Sequence, residues 1–582
     1  MVKELKLNIY AWFSICLGTL FWSITMIKSG LCWDAKCLSG LGFWGANGHD
    51  GIWHISLINS LARGSWGIPV FAGETIRNYH IGFDLFVAII HKISFIPVSV
   101  LYFQVLPPIF TFLIGFFCYK FVYAWRKSNI QALISTFFVY FGGSWGWVIT
   151  LIKEGRFGGE SMFWAQQSIS TLVNPPFALS LLIIFAGLWL LIEGVEKNNR
   201  KLLTLATFLF GVLVQVKVYA GLLILVGIFA AGFWRVIGKR KFDLMKVAIG
   251  SLVISILVFS PVSKNVGQTI VFKPFWFLET MMAVSDRVNW PKFYEAMINY
   301  RFGHIWIKAI AFYSIAFLIF LLGNMGTRLI GVFWFFRKEI SRKYNFVDIA
   351  LLVMTVAGII APTFFVQTGT PWNTIQFIYY SLMFSGVFAG VFLGNLLEKS
   401  NIIKRFVVLA IIIILTLPTT IGTIWYHYLP SRPPAKISLE ELDALRFLSS
   451  QPDGVVLTYP FDRLAAKKAE SDPPRPLYLY ESTAYVSAYS KKSVFLEDEV
   501  NLDITGYNWK ERRFEIENFL QSLDHQYVGD FLRNNNISYV YWIKGQRARL
   551  GEGQIGMTKI FENKLVDIYK TDGVKSYADL IK

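Results

Sequence analysis

Cysteine is scarce in this chain, four among 582 residues, which excludes a disulfide-dense scaffold. Charge is also sparse, 16% against 54% hydrophobic residues, and acids are outnumbered by bases, 38 to 56. The C-terminal quarter has no glycine-rich phosphate loop and no paired Cys/His metal spacing. Repeated halves with matching interruptions, the mark of many transporters, are missing. What the chain has is apolar length. Mean hydropathy is +0.47, and runs able to cross a ~30 Å hydrocarbon core recur along the first three quarters. This composition defines a polytopic membrane protein. The net charge of +18 sits mainly in short loops, where bases set topology, so nucleic acid is not an expected partner.

Candidate spans are 8–27, 82–97, 102–125, 130–152, 177–193, 202–215, 218–234, 244–262, 305–322, 347–365, 375–397 and 402–425, within a total of about 11 to 13 hydrophobic segments. The first lacks a small-residue cleavage site and reads as a retained helix. Basic clusters place their loops in the cytoplasm: Arg126-Lys127, Lys197 with Arg200-Lys201, Arg235 with Lys239-Arg240-Lys241, Arg337-Lys338 with Arg342-Lys343, and Lys399 with Lys404-Arg405. Loops 153–176, 263–304 and 367–374 then face outward, as does everything after 425. So does loop 28–80, provided Lys3 and Lys6 hold the N-terminus inside. One stretch conflicts with this scheme. Between 80 and 126 the chain must cross an odd number of times, and three crossings need roughly 60 residues. Segment 82–97, interrupted by His91-Lys92, is therefore expected to be re-entrant or interfacial. Segment 202–234 must cross twice on barely enough residues, with Lys217 at the turn, and short broken helices at membrane depth suit a cavity lining.

Loop 28–80 organises the chain. It holds Cys32 and Cys37, which could bridge in an oxidising compartment, then Gly48-His49-Asp50-Gly51-Ile52-Trp53-His54, and finally Arg77-Asn78-Tyr79-His80. Its Trp, Phe and Leu content argues for a folded loop. Asp50 and His54 share a face if GIWHISLINSL is helical. Asp50-Gly51 reads either as a turn or as a general base at the membrane surface. His54 either orients an acceptor or phosphate, or is a satisfied histidine of an interfacial helix. An aromatic belt explains Tyr79 but not Asn78 and His80.

Further on, Lys217 in GVLVQVKVYAGLL is an ammonium among apolar residues, functional or snorkelling. Asn373 and Gln376 in TPWNTIQFIYY put two amides on one helical face, for sugar hydroxyls or for a neighbouring helix. Arg287 and Arg301 are phosphate or headgroup binders, or surface charges.

After Tyr428 the composition changes. Pro430-Ser431-Arg432-Pro433-Pro434 is a stiff connector. Ser438 with Glu441 starts a helix through Leu448. Val455-Val456-Leu457-Thr458 reads as a strand, 509–523 and 528–533 as helices, and 538–543 and 565–569 as strands. This gives a membrane domain, 1–429, and a C-terminal soluble α/β or α+β domain, 430–582, large enough for its own core. Glu497, Asp498 and Glu499 are expected in a solvated loop.

The succession of one helix, an outward loop with an early acid (GHDGIWHISLINSL), NYHIGFDLF leading back, a many-span body and an outward domain (ALRFLSS, GVVLTYP, ISYVYWIK) resembles the GT-C superfamily of integral-membrane glycosyltransferases. The resemblance covers nearly the whole chain as architecture, but as local motifs only the Asp50 loop, NYH, KVYAG and WNTIQFIYY. It implies a transferase moving a sugar from a polyprenyl-phosphate-linked donor to an envelope glycan, lipid or protein acceptor, at the outer face of the plasma membrane, with Asp50 as base or acceptor-orienting group. His54, Asn78, Tyr79, His80, Lys217, Arg287, Asn373 and Gln376 are the candidate substrate contacts, Lys217 by its position rather than by a family motif. Asp50, His54, His80 and Lys217 are expected to converge. A carboxylate that deprotonates the acceptor makes direct displacement, with inversion, the expected course. The chain departs from metal-dependent oligosaccharyltransferases: it has no WWDYG stretch and no Asp-x-Asp in the second large outward loop. No cofactor is implied, and a divalent metal is left open without a motif for it. A non-catalytic envelope assembly protein, or a lipid or sugar transporter, is the alternative.

Overall fold

The structure, a computed structural model, describes residues 8–263, 270–336, 344–367, 371–546 and 557–571. Lys3, Lys6, Arg337, Lys338, Arg342, Lys343 and Thr370 lie outside the described residues, as does the side chain of Lys239. Among the described residues nine helices are long and apolar enough to span: Ile9–Ile27, Val98–Arg126, Pro175–Glu196, Val218–Gly238, Asp243–Val262, Trp306–Val332, Phe346–Phe364, Trp372–Glu398 and Ile402–Tyr428. Residues 82–97 form a helix, Gly82–Ser94, of 13 residues, about 20 Å long and too short to cross. The 130–152 segment is broken rather than continuous. Asn129–Phe141 and Gly146–Glu154 meet at 44°, because Gly142-Gly143 interrupts the helix and Gly146 lies against Gly159, where a Cβ would come within 1.8 Å of a carbonyl oxygen.

The chain forms two compact units. The first comprises Met1–Thr25, His80–Phe83 and Leu106–Leu429. Its axis is Trp372–Glu398, buried along nearly its whole length. Gly386, Gly390 and Gly394 recur every fourth residue on it, and a Cβ at Gly390 would sit 2.3 Å from Ser135 Cα. This small-residue stripe lets the Asn129–Phe141 helix approach to backbone distance. Arg200–Val216 and Val218–Lys239 pack together and are separated only by Lys217, whose extended backbone (φ −159, ψ 113) ends one helix and starts the next. The tight turn expected at Lys217 is thus observed.

The second unit comprises Met26–Tyr79, Asp84–Val105 and Pro430–Lys582. The first loop folds here, with the chain that follows Pro430. Leu41–Phe43 pairs antiparallel with Ala435–Ile437, in the register Leu41 to Ile437 and Phe43 to Ala435. One four-stranded sheet therefore runs Leu31–Cys32, Leu41–Phe43, Ala435–Ile437, Arg475–Pro476. A second runs Val455–Thr458, Ile537–Ile543, Val566–Thr571, Met557–Glu562, its first pair parallel. Backbone bonds tie loop to domain: Val494 N–H donates to Pro69 O at 2.7 Å and Glu497 N–H to Val70 O at 2.9 Å. Asp50–Ala62 is helical, as the sequence predicts, but every residue from Gly51 to Leu61 is buried, so no face is left for an interface with water. Ser438 and Glu441 form the expected capping box.

Glu497, Asp498 and Glu499 correct the sequence reading. All three are buried, at 6%, 3% and 7% exposure. Glu497 accepts the N–H groups of Val486 and Ser487 at 2.7 and 3.1 Å, Asp498 accepts Ser482 Oγ–H at 2.9 Å, and Glu499 pairs with Arg513. Buried acids require such partners; those named lie 10 to 16 residues away, and Asp498 in addition caps the Glu499–Thr505 helix through Asn501 N–H at 3.2 Å.

Candidate functional site

In the second unit, Asp50 opens its helix, where the first-turn amides and the helix dipole favour an anion. His49 Nδ1 lies 2.8 Å from Asp50 Oδ1, and both side chains keep substantial exposure, 35% and 41%. Burial alone would lower His49, but Asp50 and then Asp498 outweigh it, and the imidazole holds its proton above the ordinary histidine value. Burial pushes Asp498 up to about 6, against the opposing pull of Asn501, Ser482 and His49. An imidazole paired with Asp50 of the loop, its proton affinity raised further by Asp498 of the C-terminal segment, stands here.

His54 stands one turn further along the same helix. It is buried at 5%, and its Nδ1–H donates to Asp84 Oδ1 at 2.7 Å, the carboxylate being an acceptor only. Two acid–imidazole pairs are thus present in this unit, His49–Asp50 and His54–Asp84. Tyr102 stacks on the His54 ring at 5.9 Å. Tyr79 accepts Trp53 Nε1–H at 2.9 Å, and Asn78 Nδ2–H donates to Thr505 O at 3.2 Å. Asp84 was within reach of sequence reasoning, since it stands in the NYHIGFDLF motif. His49, Asp498 and Tyr102 carried no signal that singled them out.

An open cavity of about 1360 Å³ adjoins the first pair, with His49, Arg463, Lys467, Tyr480 and Trp509 in its wall. Among the described residues no three His, Cys, Asp or Glu side chains stand close enough to hold a metal ion.

The remaining candidates lie in the first unit. Ile81, next to His80, donates its N–H to Gln215 Oε1 at 3.2 Å, and a Cβ on Gly82 would meet Gln215 O at 2.7 Å. Lys217 is 4% exposed and donates to Asn174 Oδ1 at 3.3 Å; Asn174 also caps the Pro175–Glu196 helix. Tyr219 donates to Gln367 Oε1 at 3.0 Å and packs on Phe377 at 4.8 Å, which brings WNTIQFIYY to the same place. Asn373 and Gln376 share a face, as expected, and bond to each other at 3.1 Å. Arg287 stacks over Trp164 at 4.8 Å and Trp372 at 5.6 Å and pairs with Asp286 at 2.8 Å. Arg301 pairs with Glu279.

No protein-family model matches this chain, and no curated protein does. Among solved structures, a variant of the arabinofuranosyltransferase AftD from Mycobacteria superposes with a TM-score of 0.53 at 12% identity, over 98% of this chain and 42% of that one. A further AftD structure gives 0.51 at 13%, over 98% and 40%. The oligosaccharyltransferase AglB from Archaeoglobus fulgidus, in complex with an inhibitory peptide and a dolichol-phosphate, gives 0.49 at 14%, over 92% and 69%. The likeness to AftD is one of fold: a multi-span helical body with small sheets in its C-terminal region. This chain spans about two fifths of the length of AftD, 42% in the first comparison.

Proposed function

We propose that this chain is a membrane glycosyltransferase that moves a sugar from a polyprenyl-phosphate-linked donor to an envelope acceptor on the outer side of the membrane. The observation that carries the reading is Asp50: a partly exposed carboxylate at a helix start, 2.8 Å from an imidazole, beside a cavity large enough for a glycan. Asp50 takes the acceptor hydroxyl's proton, and the oxygen displaces the lipid phosphate from the anomeric carbon in one step that inverts it. The phosphate leaves without needing a proton, so a second carboxylic acid is unnecessary. His49, 2.8 Å from Asp50, offsets the charge of the base whenever its ring carries the second proton. His54, held by Asp84, and Tyr79 and Asn78 are further acceptor contacts in this unit. Lys217 with Asn174 is a site for the donor phosphate, and Arg287 on its two indoles and the Asn373–Gln376 amides are sites for charge or hydroxyls.

The Cys32–Cys37 disulfide and the basic clusters of the short loops support placing the second unit outside and the N-terminus inside. The test is transfer of radiolabelled sugar from a panel of polyprenyl-phosphate donors by membranes carrying wild type or Asp50→Asn at equal expression. Transfer by wild type that is lost in the variant is expected. Undiminished transfer by Asp50→Asn would remove Asp50 as base.

A further inference from the structure

The cavity beside His49 has a charge pattern that the transfer reaction does not itself require. Two of its guanidinium groups are already matched: Arg475 with Glu470 at 2.8 Å, and Arg513 with Glu499 and with Glu517. Two other cations are not. Arg463 and Lys467 lie one turn apart on the Arg463–Glu470 helix, so they share a face and stand about 6 Å apart along its axis. Both line the cavity, both are exposed, and neither has an ion-pair partner among the described residues. The helix that carries them is fixed at its start by Asp462, whose carboxylate accepts the N–H groups of Leu464 and Ala465 at 2.9 and 3.1 Å. The one remaining wall acid is Glu481, so the cavity keeps an excess of positive charge.

Its other features suit a sugar chain. The volume of about 1360 Å³ exceeds the roughly 300–1,000 Å³ of pockets for small molecules. Tyr480 and Trp509 offer ring faces for sugar stacking, and Arg475 lies 3.7 Å over the Tyr480 ring, stiffening it.

We propose that this cavity binds an anionic glycan, with carboxylate or phosphate groups along its chain, through Arg463 and Lys467. The proposal rests on the glycosyltransferase reading in one respect: the glycan is the acceptor, and its hydroxyl reaches Asp50 past His49.

The test measures binding alone, in full-length protein carrying Asp50→Asn, embedded in phosphatidylcholine nanodiscs. The probes are a fluorescent galacturonate hexasaccharide, a glycerol-phosphate oligomer of similar length, and neutral maltohexaose. At least one anionic probe is expected to bind, more weakly as salt rises, and which one binds distinguishes carboxylate from phosphate. R463A/K467A, which removes two exposed charges, should weaken that binding about tenfold, roughly 1.4 kcal/mol. R463K/K467R should retain it. Equal binding of maltohexaose, an unchanged affinity in R463A/K467A, or binding that needs anionic phosphatidylglycerol in the disc would overturn the proposal. Sugar transfer to a neutral acceptor without anionic-probe binding would sink this inference and leave the transferase reading standing. Binding without transfer from any donor would do the reverse.

Discussion

His54 and Asp84, separated by 30 residues, meet in the second unit at 2.7 Å, with the imidazole 6% and the carboxylate 0% exposed. A buried pair of this kind stabilises little as a pair but costs a great deal when halved. Asp84→Ala leaves a buried imidazole whose ring N–H has lost its acceptor, and should lower unfolding stability by about 3 kcal/mol. Asp84→Asn keeps the volume and one acceptor oxygen, and should lose less. Thermal unfolding of the purified variants checks the order, and an Asp84→Ala midpoint equal to wild type would show that the pair orders nothing.

The membrane segments were legible because a bilayer imposes length and apolarity residue by residue. The interruption at Lys217 followed from counting residues against thickness. Helices and strands after Pro430 were legible for the same local reason, as the Ser438–Glu441 cap and the strand at Val455 show. What stayed hidden was long-range. His54 finds Asp84, 30 residues away, a partner that helical spacing alone does not reach. Glu497 to Glu499 read as solvated because their donors, such as Val486 and Ser482, are remote in sequence. The Gly386, Gly390, Gly394 stripe was visible in principle, as three glycines at spacing four in an apolar run, and it marks a helix crossing.

That crossing gives a second prediction. Gly390→Leu places side-chain atoms where Ser135 backbone already stands, 2.3 Å from the first of them. The Asn129–Phe141 and Trp372–Glu398 helices must then separate, at a cost of about 3 kcal/mol. Gly238→Ala serves as the control, since a Cβ there meets nothing within 4 Å. Melting midpoints in detergent should fall for Gly390→Leu and hold for Gly238→Ala. A midpoint unmoved by leucine at 390 would contradict the close approach.

Lys217 separates a binding role from a structural one. Lys217→Met preserves the length of the buried stem and removes the ammonium that Asn174 accepts at 3.3 Å. If the ammonium holds donor phosphate, KM for the donor should rise about tenfold with a smaller change in kcat, the loss of roughly 1.4 kcal/mol of binding. The melting midpoint should change little, because a methionine fills the same space without a charge to bury. An unchanged donor KM with a lowered midpoint would assign Lys217 to structure alone.

Glu497 makes stability depend on pH with a definite sign. Burial pushes its carboxyl from 4.5 up to about 8, against the pull of the Val486 and Ser487 amides. The folded chain therefore keeps this proton through a range where the unfolded chain has released it. Its stabilising share is fully present below the unfolded value and is lost as pH rises through the folded one. Asp498, raised to about 6 for the same reason, adds to the slope at its lower end. Glu497→Gln stays neutral at every pH and should flatten the fall of the midpoint between about pH 5 and about pH 9. It should also lower the midpoint at the acid end, where a neutral amide replaces a well-bonded carboxyl. Wild-type and Glu497→Gln curves that run parallel across that range would place the proton elsewhere, and the carboxyl would then be charged and partnered in the fold.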